Sequence, residues 1–205
     1  MQKTASVLMH LFHRLGLENE ILFVDTGFHF HETLETRDLF MRRFKLNIVT
    51  LYPQDTPLDQ EERFGHKLHL FVDGQKECCR LRKEEPFVGH VREHHRNLVM
   101  VGLRRTEGGH RGDLEVISKD PRISGYSMRP IVDWTDEQVA AYIDEHDLPV
   151  HPLHAQDYPS IGCACCTTPV DPDEDPRAGR WRHLRETDEQ GPQYCGINFT
   201  DGAGI

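Results

Sequence analysis

The sequence predicts an α/β fold, a mostly parallel sheet with helices on both faces, from two observations. Short apolar runs at residues 21–24, 47–51 and 98–101 read as buried strands, and helical patterns separate them. Alternating strands and helices imply parallel pairing. In addition, Asp25-Thr26-Gly27 and Gly102-Leu103-Arg104-Arg105 directly follow two of these runs. In open α/β sheets, ligands bind beyond the carboxyl ends of the strands.

Val7, Leu8, Leu11, Phe12 and Leu15 recur at helical spacing, so the chain opens on an amphipathic helix that Gly16 ends. A second helix is expected through Leu34, Leu39 and Phe40. Thr135-Asp136-Glu137-Gln138 is a capping box. It opens a helix through Val139, Ala140, Tyr142 and Ile143 that should stop near His146, before Pro149. Beyond it the chain turns rich in Pro, Gly and Asp, with a polar loop from Asp171 to Pro176 and irregular sequence from Gln190 onward. The predicted division is an α/β domain at 1–170 and an irregular, mobile tail at 171–205. A nucleotide-binding sheet of this kind normally opens with a strand and a phosphate-cradling loop ahead of its first helix. This sequence begins at the helix, so that first strand and loop are expected to be missing from it.

The 205 residues suffice for one large domain, and no apolar stretch approaches the roughly 20 residues that span a bilayer. No secretory leader is evident, so the six cysteines read as reduced thiols or metal ligands in a cytoplasmic protein. Lys and Arg number 24 against 34 Asp and Glu, a net charge of −10 that argues against general nucleic-acid binding. Basic residues nevertheless cluster locally, at 80–83, at 104–105 and at 177–185, which suits a small anionic ligand.

Four cysteines form two pairs, Cys78-Cys79 and the C-x-x-C of Cys163 and Cys166. Adjacent thiolates diverge and chelate one tetrahedral zinc poorly, whereas an iron–sulfur cube offers each its own corner. Cys165 is then an extra thiol. Cys195 lies apart, in Tyr194-Cys195-Gly196-Ile197-Asn198 on the Gly-containing tail, placed to react and not to ligate. His29, His31, His94 and His95 keep zinc open as an alternative, though such spacings mostly serve surface or packing.

Cys78-Cys79-Arg80-Leu81-Arg82-Lys83, Gly162-Cys163-Ala164-Cys165-Cys166-Thr167, Arg177-Ala178-Gly179-Arg180-Trp181 and Tyr194-Cys195-Gly196-Ile197 occur in that order. Together they resemble the assimilatory adenylyl-sulfate (APS) reductases, the iron–sulfur branch of the APS/PAPS reductase family. Asp25-Thr26-Gly27-Phe28 and Tyr158-Pro159-Ser160-Ile161 agree with the same resemblance.

The resemblance implies an ATP-pyrophosphatase-like fold (adenine nucleotide alpha hydrolase-like) and a [4Fe–4S] cluster on Cys78, Cys79, Cys163 and Cys166. It implies reduction of APS to sulfite and AMP, with Cys195 as nucleophile and thioredoxin or a glutaredoxin-like dithiol releasing the product. Lys83, Arg177 and Arg180 match positions that hold the phosphosulfate; Arg104 or Arg105 is a further candidate, and Thr26 and Gly27 belong to the nucleotide-side motif. The sequence leaves a homo-oligomer open. This chain departs from the family pattern at Asn198, where His is usual, and at Cys165, usually not a thiol. The alternatives are a PAPS reductase, which needs further cations for a 3′-phosphate, and a non-catalytic metal- or nucleotide-binding module, for which Cys195 would be dispensable.

Overall fold

A computed structural model describes residues 2–107 and 109–185. Helix α1 (Lys3–Arg14) buries Val7 and Met9, and the chain reverses at Gly16 with φ +63°. Strand β1 (Ile21–Val24) pairs in parallel with β2 (Ile48–Leu51), in register from Ile21↔Ile48 to Val24↔Leu51. Their connection is α2 (His31–Phe44), which ends on Lys45 in the left-handed region. Phe40 and Phe44 of α2 pack with Val7, Ile131, Val139 and Ile143 in the main core. The three apolar runs and both helices read from the sequence are present.

A second sheet has the order β3-β5-β4, with β3 (Leu98–Met100) parallel to β5 (Gly125–Met128) and β4 (Ile117–Asp120) antiparallel to it. Among the described residues the two sheets share no strand pair. Between them lies a cavity of about 2080 Å³, lined by β1 and β3, by Leu8 and Phe12 of α1, and by Phe87 and Val91.

Helix α3 (Pro57–Phe64) starts on a reciprocal capping box between Thr56 and Asp59, with Pro57 in the first turn. Helices α4 (Val72–Cys79) and α5 (Glu85–Glu93) run on from each other through a π-helical turn, Arg80–Glu84. The Glu85 amide reaches back five residues to the Arg80 carbonyl. Pro86 supplies a cause, since it has no N–H for the Arg82 carbonyl four residues earlier. Such widened turns occur preferentially at functional sites, and this one directly follows Cys78-Cys79. Helix α6 (Asp136–Glu145) carries the expected capping box of Thr135 and Gln138, with His146 as its C-cap. No helix among the described residues is long and apolar enough to cross a membrane.

The described part of the expected tail is packed. Arg180 bridges to Thr167, the Trp181 amide donates to the Cys166 carbonyl at 3.0 Å, and Trp181 is fully buried ahead of the short helix α7 (Arg182–Arg185). An apolar ring of that size gains too much from burial to stay in water, so the packed unit extends beyond residue 170. Cys195 and Asn198 lie outside the described residues.

Candidate active site

Cys78 and Cys79 close the last turn of α4, and Cys163 and Cys166 bracket a short 3-10 turn, Ala164–Cys166. Backbone bonds hold that turn: the Ala164 amide donates to the Phe28 carbonyl at 2.7 Å, and the Thr167 hydroxyl to the Cys163 carbonyl at 2.8 Å. All four thiols are buried and none is in a disulfide; Cys165 is half-buried. One pocket is lined by all five, together with Gln75, Arg82 and Lys83. The sequence-predicted ligands therefore converge.

The pocket is polarised toward sulfur. The Thr26 hydroxyl lies 3.4 Å from Cys163 Sγ. Amides of Gln75 and Gln60 approach Cys79 and Cys78 at 3.1 and 3.8 Å, and Lys83 Nζ stands 3.9 Å from Cys79. Arg82 is buried; its guanidinium donates to the Thr26 carbonyl at 2.5 Å and to Gln60 Oε1 at 3.0 Å, and lies over the Phe28 ring at 4.9 Å. These acceptors are uncharged, so the guanidinium charge remains available to the thiols. Burial pushes the Cys78 thiol up to about 11. The Cys166 thiol is also pushed up, first by its hydrogen bond with Cys165 and then by burial. Thiols so placed ionise only against strong positive charge, which a metal centre supplies.

The donor set fits a sulfur-ligated centre. Trp181 shares a buried cluster with Cys163 and Cys166, and His69 lines the thiol pocket. Among the described residues, Trp181 Nε1 and His69 Nδ1 are both buried without a hydrogen-bond partner. The Trp181 N–H, and His69 Nδ1 in the tautomer that carries the proton there, suit sulfide or thiolate acceptors. Among the described residues, no three His, Cys, Asp or Glu side chains stand close enough together to hold a metal ion.

The cavity between the sheets adjoins this pocket, and Lys83 lines both. Arg177, Arg180 and Arg104 also line the cavity. Arg180 is buried, stacks on the Trp181 ring at 4.5 Å, and among the described residues its Nε has no partner. A buried guanidinium not offset by a carboxylate is a site for an anion.

The structure separates the two candidates of the Arg104-Arg105 pair. Arg104 faces the cavity, held by the Trp134 carbonyl at 3.0 Å and by Asp136 Oδ1 at 2.5 Å. Arg105 turns elsewhere, to the Leu114 carbonyl at 2.8 Å and to Asp133. Thr26 lines the cavity and Gly27 does not. Gly27 has φ +70°, and a Cβ there would stand 3.0 Å from Arg82 Nη2. Its smallness admits Arg82, a reason distinct from the expected contact with substrate. His29 lines the cavity, bonded to the Val24 carbonyl at 2.9 Å, whereas His31 is exposed beside Glu35.

The fold is shared with two solved structures. A PAPS reductase from Candida auris superimposes with TM-score 0.70 at 22% identity, covering 82% of this chain and 79% of its own. An FMN adenylyltransferase from Candida glabrata follows with TM-score 0.59 at 13% identity, covering 96% and 63%. The phosphoadenosine phosphosulfate reductase domain matches residues 1–169, and the chain belongs to that family. It is 38% identical over 181 residues to the adenosine 5′-phosphosulfate reductase of Mycolicibacterium smegmatis, covering 88% of this chain and 72% of that one. The enzyme of the same name from Halalkalibacterium halodurans is 35% identical over 193 residues, covering 94% and 79%.

Proposed function

We propose that this chain is a cytoplasmic enzyme of sulfate assimilation that reduces APS to sulfite and AMP. The observation that carries the reading is Lys83, common to a pocket of four buried thiols and to a cavity that Arg177 and the buried Arg180 also line. The names of the similar enzymes favour APS over PAPS. Cys78, Cys79, Cys163 and Cys166 would hold a [4Fe–4S] cluster, whose iron would keep the four buried thiols ionised when bound.

The protein's own groups do the rest. Lys83, Arg177 and Arg180 neutralise the phosphosulfate oxygens, which otherwise repel an incoming thiolate. Arg104 lines the same cavity, with Thr26 beside it. The Cys195 thiolate attacks the sulfate sulfur, the S–O bond to the phosphate breaks, and AMP leaves with the bonding electrons. Cys195 then carries the S-sulfo group. One thiolate of thioredoxin, or a similar dithiol, attacks Cys195 Sγ and sulfite departs; the second thiol resolves the mixed disulfide and restores Cys195. Electrons pass from the dithiol to sulfur, and sulfite is the reduced product.

The test is sulfite release from APS and PAPS at matched concentrations with reduced thioredoxin. APS should be preferred, and the protein mixed with APS alone should gain one sulfo group on Cys195. A preference for PAPS, or an adduct on another cysteine, overturns the assignment.

A further inference from the structure

Two glutamines flank the adjacent cysteines. Gln75 sits four residues before Cys79 on α4, so both share one helix face. Its Nε2 lies 3.1 Å from Cys79 Sγ. Gln60 reaches from α3, with Nε2 at 3.8 Å from Cys78 Sγ. Its Oε1 accepts from Arg82 Nη1 at 3.0 Å. A guanidinium has only donors, so the amide oxygen must face it and the NH₂ group is turned to the sulfur. Gln75 and Gln60 are 2% and 3% exposed, so both amides are buried beside the sulfurs. A thiolate accepts such hydrogen bonds far better than a thiol.

We propose that Gln75 and Gln60 are positioning residues for the metal centre, each donating an N–H···S hydrogen bond to one of the two adjacent thiolates, Gln75 to Cys79 and Gln60 to Cys78. The inference rests on the reading that these cysteines hold an iron–sulfur cluster. Lys83 makes the contrast. It also reaches Cys79, but it lines the substrate cavity, and an anion bound there competes for its charge. Gln75 has no part in that cavity, so its bond to Cys79 persists when substrate binds. Hydrogen bonds to cluster sulfurs stabilise the more negative, reduced state and raise the reduction potential.

The test uses anaerobically purified holoprotein. Resonance Raman bands of the Fe–S(Cys) stretches should shift when the parent protein is exchanged into D₂O. Gln75→Leu keeps the shape and removes the donor; it should move those bands to higher frequency and diminish the isotope shift at unchanged iron and sulfide. The midpoint potential should fall in the order parent, Gln75→Leu, Gln75→Glu, because the carboxylate adds repulsion. Gln60→Leu should act in the same direction through Cys78, and it decides the matter if Gln75→Leu does not fold. An iron- and sulfide-containing parent whose bands and potential match those of both leucine variants overturns the proposal alone. A parent without iron and sulfide overturns the reading of the cysteines and the proposal with it.

Discussion

The guanidinium of Arg180 occupies the space where a side chain on Gly162 would begin. A Cβ built on Gly162 overlaps Nη2 and Cζ of Arg180 and stands 2.9 Å from Nη1. The glycine is therefore what lets a buried cation stack on Trp181 and still line the cavity.

Gly162→Ala should displace that guanidinium while leaving the fold intact, since the clash is with the end of a side chain. Loss of one charge-assisted contact costs about 1.5–3 kcal/mol, so KM for APS should rise by about 10-fold or more. Iron content should stay unchanged. An unaltered KM in steady-state kinetics would show that Arg180 does not hold substrate.

Lys83 joins the two halves of the site, and Lys83→Gln should reach both. Removal of one preorganised charge from a reacting centre costs about 100-fold or more in rate. The variant should retain its iron, because none of the four thiols depends on Lys83 alone for a partner or for burial. Rapid-quench measurement of the sulfo-adduct separates this slowing from any effect on release by thioredoxin.

His151 makes folding pH-dependent. It is buried, accepts from the Leu153 amide on Nδ1 at 3.3 Å, and pairs through Nε2 with the Thr33 hydroxyl at 2.8 Å. Burial first, then neighbouring positive charges, push it down to about 3 from 6.5. The folded state thus holds it neutral while the unfolded chain takes up a proton below about 6.5. By linkage its contribution is complete above that pH and is lost as pH falls toward 3. Melting temperature should drop over this window, and His151→Gln should make the drop shallower.

Thr135 caps α6 and Thr56 caps α3, each reciprocated by the residue three positions on. Thr135→Ala should cost about 1 kcal/mol, a fall of roughly 2–4 °C in melting temperature for a chain of this size. Iron and sulfide content should be unchanged in Thr135→Ala, because α6 contributes nothing to the thiol pocket.

What the sequence made legible follows from local signals. The apolar runs at 21–24 and 98–101 and the Thr135 cap are written in consecutive residues, and they appear where the pattern places them. The cysteine pairs were legible as a set because their spacing is restrictive. Arg82 was not, since an arginine among four basic neighbours reads as surface; only the π-helical turn and Gly27 bring it inside. Gln60 and Gln75 escaped for a similar reason, although the i,i+4 spacing of Gln75 and Cys79 was a signal. The packing of 171–185 was hidden because Pro- and Asp-rich composition reports local turns, whereas Trp181 is fixed by contacts with residues near 163.

Cys165 and Cys166 are neighbours with opposite assignments. Their sulfurs lie 3.6 Å apart, yet Cys166 is buried in the cluster with Cys163 and Trp181 while Cys165 is half-exposed beside it. Burial with the other three thiols supports the proposal of Cys166 as the ligand. Cys165→Ala should keep full iron and sulfide and should slow loss of the cluster in air, because it removes a thiol able to form a disulfide with a ligand. Cys166→Ala should lose iron and sulfide, since Cys165 sits one residue off the position the 3-10 turn gives Cys166. Iron and acid-labile sulfide assays on the two variants decide it. Retention in Cys166→Ala with loss in Cys165→Ala would exchange the two roles.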